Sequence, residues 1–128
     1  ESNKMGIELD DLIVEESDRK DIPFKTRNWN FSVFFILPCF SKLSSSPTKQ
    51  GELMGMGIPI ICNSGVGDVD LIVEKYQSGY VVANVNQFNL DELLNKTFDK
   101  ETLKKGADDY FSLIKGVESY NMIYKEIC

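Results

Sequence analysis

Histidine is absent from all 128 residues. That one absence removes Ser-His-Asp triads, Cys-His nucleophile pairs and histidine metal sites. Cysteine is scarce: Cys39, Cys62 and Cys128 are the three in the chain. An odd number without close spacing is neither a disulfide framework nor a zinc site. Cys39 and Cys62 end apolar runs and read as buried, reduced thiols. That usage suggests a reducing compartment and a cytoplasmic location. No apolar run approaches the roughly 20 residues that cross a bilayer. The start, Glu1-Ser2-Asn3-Lys4-Met5, has no apolar stretch behind it. Neither a transmembrane segment nor a signal peptide is therefore expected. A chain opening on Glu1 instead of an initiator Met reads as a cut or processed piece. Basic residues are outnumbered, 14 against 20, for a net charge of −6. This balance opposes a broad nucleic-acid footprint and simple adsorption to anionic lipid. It leaves room for one local cationic pocket.

What remains is an ordinary globular mixture, 42% hydrophobic and 27% charged. The length favours a single domain over residues 1–128. Leu12-Ile13-Val14 is a short apolar run fit for a strand, and 18–29 reads as a loop and a short helix. FSVFFIL, 31–37, is the most apolar run and reads as a strand buried on both faces, ended by Pro38. Residues 47–57 read as a helix with Ser46 as N-cap, Pro47 at its first position and Gly57 as its stop. IPIIC, 58–62, is a second buried strand, followed by a Gly-rich turn over 63–67. Asp68 can cap a helix running to about Tyr76, with Val69, Ile72, Val73 and Tyr76 at helical spacing. GYVVA, 79–83, is a further strand. From about residue 89 the texture is helical, over 89–96, 99–115 and 118–127, with Asn89 and Asp99 as caps. Tyr110, Phe111, Tyr120 and Tyr124 fit helical packing better than nucleic-acid stacking.

Alternating strands and helices imply a parallel sheet with helices on both faces. The fold expected is a Rossmann-like, three-layer α/β/α arrangement with about four parallel strands. In such sheets ligands bind outside the carboxyl ends of the strands. The loops 16–20, 38–46 and 63–67 leave those ends.

One segment there breaks a local rule. A helix N-terminus presents unpaired N–H groups and partial positive charge, and binds phosphate readily. Lys49 falls in the first turn, where the helix dipole disfavours a cation and a Glu would complete a capping box with Ser46. Rule-breaking positions concentrate at functional sites. Lys49 can neutralise a diphosphate, and Thr48 adds a hydroxyl donor. The plainer reading is a solvated surface lysine, and spacing alone does not separate the two. Glu52, one turn on, can accept hydrogen bonds from a vicinal diol such as ribose, or form a surface ion pair with Lys49. The turn Asn63-Ser64-Gly65-Val66-Gly67 reads either as an anion nest, with Gly65 at a phosphate, or as a tight connection alone. Asp68 would repel phosphate and is assigned to capping. The acidic stretch from Asp10 to Asp18 lacks interleaved metal-ligand geometry and reads as a solvated edge.

Taken together, VFFILPCFSK, SSPTKQGELMGMGIPIICNSGVGDVDLIV and GYVV resemble the C-terminal, donor-binding domain of GT-B glycosyltransferases of the glycosyl transferases group 1 type. The family's "small-x-Gly-hydrophobic-Pro-hydrophobic" strand entry matches Met56-Gly57-Ile58-Pro59-Ile60. The resemblance implies a nucleotide-sugar donor as substrate, a retaining hexosyltransferase-type reaction, no cofactor and no metal. It implies that Glu52 binds the ribose hydroxyls. By the same match Ser45, Ser46, Thr48 and Lys49 approach the diphosphate and sugar, and Ser17, Asp18 and Arg19 flank the nucleobase. The family motif carries a second Glu eight positions before Glu52; here that position is Ser44, so the sugar contact is changed. The Ser-Pro-Thr-Lys version looks like a bacterial surface-polysaccharide subgroup. The family's acceptor-binding N-terminal domain and its upstream Gly-rich and cationic loops have no match in these residues. The fragment is therefore expected to be inactive alone, with peripheral membrane contact open to the full-length enzyme. No residue here reads as a catalytic nucleophile. The alternatives are a non-catalytic nucleotide-binding module on the same fold and, lower, a phosphoacceptor receiver domain. The latter needs an Asp where FSVFFIL meets Pro38-Cys39.

Overall fold

A computed structural model describes residues 6–127. The elements are α1 (Ile22–Thr26), β1 (Ser32–Phe34), α2 (Thr48–Gly55), β2 (Ile60–Asn63), α3 (Val69–Tyr76), β3 (Gly79–Val82), α4 (Leu90–Leu94), α5 (Lys100–Tyr110) and α6 (Leu113–Ile127), with short 3-10 turns between them. The three strands form one parallel sheet in the order β1-β2-β3. Val33 pairs with Ile61, and Ile61 with Tyr80.

β2 lies in the centre, and its apolar run explains why. Ile60 and Cys62 point to one face, where they meet Val66, Val69 and Val73, with Phe34, Ile36 and Leu53 against them. Ile61 points to the other face and joins Val82 and Leu93, flanked by Phe31 and Phe98. Helices α2 and α3 thus cover one face and α4 part of the other. A third cluster, Met54, Ile72, Tyr76 and Ala107 with Phe111, binds α5 to α2 and α3. Asn89 and Asp99 cap their helices as expected, accepting from the N–H groups of Glu92 and Thr102 at 3.1 and 2.9 Å.

Several expectations are corrected. The sheet has three strands, not about four, among the described residues. Leu12–Val14 is not a strand; Ile13 and Val14 are 84% and 86% exposed. Its three apolar residues stand between Asp10-Asp11 and Glu15-Glu16, which stay solvated, and a run that short makes few ladder bonds. The FSVFFIL strand is limited to Ser32–Phe34 and sits at a sheet edge, so Val33 and Phe35 are exposed. Helix α2 begins one residue late: Pro47 is its N-cap with an extended ψ of 110°, and no side chain caps it. The 99–115 helix breaks at Phe111-Ser112, where Phe111 packs against the Met54, Ile72, Tyr76 and Ala107 cluster. Helix α6 then starts at Leu113, and Tyr120 and Tyr124 lie exposed on it.

Cys62 is buried as expected, whereas Cys39 is exposed. Pro38 ends the apolar run before Cys39, which therefore sits in the loop above the strand ends. A hydrogen bond with Ser41, at 3.2 Å, holds the Cys39 thiol below the usual range. Burial, reinforced by Asp70, pushes the Cys62 thiol up to about 12. A lowered value means more thiolate at a given pH, and the thiolate is the nucleophile. Iodoacetamide at pH 8 should therefore alkylate Cys39 at least about tenfold faster than Cys62 in the native protein. Peptide mapping by mass spectrometry checks this; Cys62 reacting first would contradict it. Cys128 lies outside the described residues.

Candidate functional site

The loops leaving the carboxyl ends of β1 and β2 are tied to each other. The 38–47 loop folds through a 3-10 turn at Phe40–Lys42, and the Lys42 carbonyl accepts from the Gly67 N–H at 3.0 Å. Gly67 has φ +49°, and a Cβ there would lie 1.7 Å from the Ser45 carbonyl oxygen. Only a glycine lets the 63–67 turn pass this close beneath Ser45. The Ser44–Ser46 segment and the β2–α3 turn are thereby brought together. Ser45 is half-buried, and Ser44 and Ser46 are exposed.

Asn63 fastens the same region from below. Its side chain accepts from the Ile36 N–H at 2.7 Å and donates to the Ile36 carbonyl at 2.9 Å. It also donates to the Ser64 carbonyl at 3.0 Å. The amide thus stands in for a strand partner just beyond the last paired residue of β1. Sequence reasoning gave Asn63 no role beyond the turn. Its signal was an Asn, poor in strand propensity, closing an otherwise apolar strand.

Helix α2 supplies the next group. Thr48 and Lys49 occupy its first turn, where N–H groups lack intrahelical partners, and both are exposed. Lys49 makes no ion pair among the described residues. In the same turn Gln50 is fully buried, and neither amide atom has a hydrogen-bond partner. Such a group costs about 1–3 kcal/mol, and it was not singled out from the sequence. Thr48 and Glu52 line one cleft of about 410 Å³ between α2 and the end of α5, together with Asp108 and Phe111. Lys49 is not part of that lining.

Glu52 pairs with Arg19, Nη2 to Oε1 at 3.0 Å, and not with Lys49. Both side chains are largely exposed, so the pair itself contributes little stability. Its consequence is positional: it draws the Ser17-Asp18-Arg19 loop to the helix that carries Glu52. Two of the three loops expected at strand ends thus meet, while the third, 16–20, follows no strand among the described residues and reaches α2 through the Arg19 pair.

The turn after β2 is less open to anions. Asp70 accepts from the Gly65 N–H at 3.4 Å, so a phosphate at Gly65 competes with a carboxylate. Asp68 occupies the N-cap position of α3 without a side-chain cap bond, accepting instead from the Tyr110 hydroxyl. That bond, with burial, raises the Tyr110 pKa. Among the described residues no helix is long and apolar enough to cross a membrane. Comparison with protein-family models, with curated proteins and with solved structures found no match to this chain.

Proposed function

We propose that this chain is the donor-binding part of a glycosyltransferase, holding a nucleoside-diphosphate sugar at the carboxyl ends of a parallel sheet. The observation that carries the reading is the convergence of the Ser44–Glu52 segment with the β2–α3 turn, fixed by the Gly67 approach to Ser45. A Rossmann-like arrangement is supported by the parallel order and by helices on both faces of the sheet.

In this reading the diphosphate lies at the N-terminus of α2. The N–H groups of Thr48 and Lys49, the Thr48 hydroxyl and the Lys49 ammonium oppose the charge that grows on the departing diphosphate, the Gln50 N–H being taken by the Pro47 carbonyl. Ser45 and Ser46 border the phosphate and sugar, and Ser44 faces the sugar where the resembling family has Glu. Glu52 orients the nucleoside through its ribose diol. Arg19 engages one Glu52 oxygen and leaves the other for a hydroxyl, while Ser17 and Asp18 flank the base. Gly65 contributes least, because Asp70 already engages its N–H. The sugar passes to an acceptor hydroxyl held outside this chain, in surface-polysaccharide synthesis and in the cytoplasm.

The test is a calorimetric titration of the chain against UDP, GDP, ADP and CMP. The proposal expects one nucleoside diphosphate to bind, and its parent nucleoside to bind at least about tenfold more weakly, since charge-assisted phosphate contacts are worth about 1.5–3 kcal/mol each. Silence toward all four nucleotides would overturn it.

A further inference from the structure

At the opposite, amino-terminal end of the sheet lies a second cleft, of about 600 Å³. It falls within the size range of small-molecule sites. Three connections build it: the α1–β1 link carrying Arg27 and Trp29, the α2–β2 turn at Gly57, and the α4–α5 link ending at Lys100. The Ser32 N–H donates to the Pro59 carbonyl at 2.9 Å, joining the first two. Phe31 and Phe98 meet edge to face at 5.6 Å and form an apolar wall.

The charge here runs against the rest of the molecule. Acidic residues outnumber basic ones 20 to 14 along the chain, yet three cations line this cleft and no carboxylate does. Lys96 is already engaged, 3.8 Å from Glu92 and 4.7 Å from the centre of the Tyr80 ring. Arg27 and Lys100 make no ion pair among the described residues. Asp99, the nearest carboxylate in sequence to Lys100, is committed to Thr102 by bonds of 2.9 and 2.6 Å.

Lys100 is also placed by the backbone. Gly57 has φ +72°, and a Cβ there would stand 3.1 Å from the Lys100 Cβ and 3.3 Å from its Cγ. The bare turn lets the aliphatic stem lie across it, and Lys100 lines the cleft. Trp29 lines the same cleft and is 50% exposed, a large open aromatic surface in one cleft with two cations that make no ion pair among the described residues. A planar ring stacks on such a surface, and Arg paired with Lys holds phosphate oxygens.

We propose that this cleft binds a small aromatic phosphate, with the ring on Trp29 and the phosphate between Arg27 and Lys100. The site is separate from the donor site and does not depend on it. Trp29 is the only tryptophan in the chain, so its fluorescence reports the cleft without a label. The probes are phenyl phosphate, inorganic phosphate and phenol. Phenyl phosphate should give a saturable change, with the other two at least about tenfold weaker because each lacks one of the two contacts. Arg27→Gln and Lys100→Gln, both at exposed positions, should each weaken phenyl phosphate by about tenfold while leaving the circular dichroism spectrum unchanged. Added salt should weaken binding further. No saturable change, equal affinity for phenol, or both variants titrating like the parent chain would overturn the proposal.

Discussion

Gly67→Ala should destabilise the protein by roughly 2–5 kcal/mol, combining left-handed strain with overpacking. The backbone there sits at φ +49°, which alone disfavours an L side chain. The larger cost is steric. The new methyl would overlap the Ser45 carbonyl oxygen at 1.7 Å, and the neighbour is backbone, which cannot rotate away. The 38–47 loop must lift, and the Gly67 N–H to Lys42 bond of 3.0 Å goes with it. Gly65→Ala is the matching control. Its φ is +80°, but a Cβ there meets nothing within 4 Å. It should cost only the conformational strain, about 1–2 kcal/mol. Urea midpoints for the two variants give the comparison, and trypsin cleavage after Lys42 should accelerate in Gly67→Ala. Equal midpoints would contradict the close loop approach on which the proposed donor site depends.

The second large effect concerns Asn63. Asn63→Ala removes the bonds to the Ile36 N–H at 2.7 Å, the Ile36 carbonyl at 2.9 Å and the Ser64 carbonyl at 3.0 Å. Ile36 is half-buried, so its backbone groups are left partly shielded from water without partners. A loss of about 2–3 kcal/mol is expected. Asn63→Asp should not rescue it: a carboxylate can still accept from the Ile36 N–H, but it faces the Ile36 carbonyl with a second acceptor. Amide hydrogen exchange at Ile36 should quicken in both variants, while exchange in α3 should change only by the global loss. Unchanged exchange at Ile36 would show that Asn63 does not hold the β1 continuation.

Both residues show where the sequence was readable and where it was not. Ile58–Cys62 is a short apolar run between a glycine stop and an Asn-led turn, and the central strand falls on it, shifted to Ile60–Asn63. Val69, Ile72, Val73 and Tyr76 recur at helical spacing, and they became the buried side of α3. These elements are local, so composition and period suffice. Leu12–Val14 carries the same apolar signal, but strand formation needs a partner, and none among the described residues pairs with it. Likewise FSVFFIL reads as doubly buried, although burial depends on what lies beside it. The break between α5 and α6 comes where Phe111 packs against a cluster whose members, Met54 to Ala107, are spread over more than fifty residues of chain.

The candidate site divides in the same way. Thr48 and Lys49 follow from helix spacing and end effects, whereas the role expected of Glu52 rests on the family resemblance. That Ser45 lies over Gly67 depends on how two loops fold back, which no period records. The Arg19 to Glu52 pair spans 33 positions and is equally invisible to local patterning. It also replaces the Lys49 to Glu52 pair that spacing allowed, leaving Lys49 without a carboxylate partner among the described residues. The helix end and its unusual cation are thus legible in the sequence, while the neighbours around this candidate site are visible only in the structure.

The most direct test compares Lys49→Ala and Glu52→Ala by calorimetry against whichever nucleoside diphosphate binds best and against its parent nucleoside. Lys49→Ala should weaken the diphosphate by about tenfold or more and leave the nucleoside nearly unchanged, because the ammonium acts on phosphate charge. Glu52→Ala should weaken both ligands by similar factors, because the carboxylate acts on the ribose they share. Diphosphate affinity unchanged in both variants, with the parent chain binding it, would contradict a donor site at the α2 N-terminus.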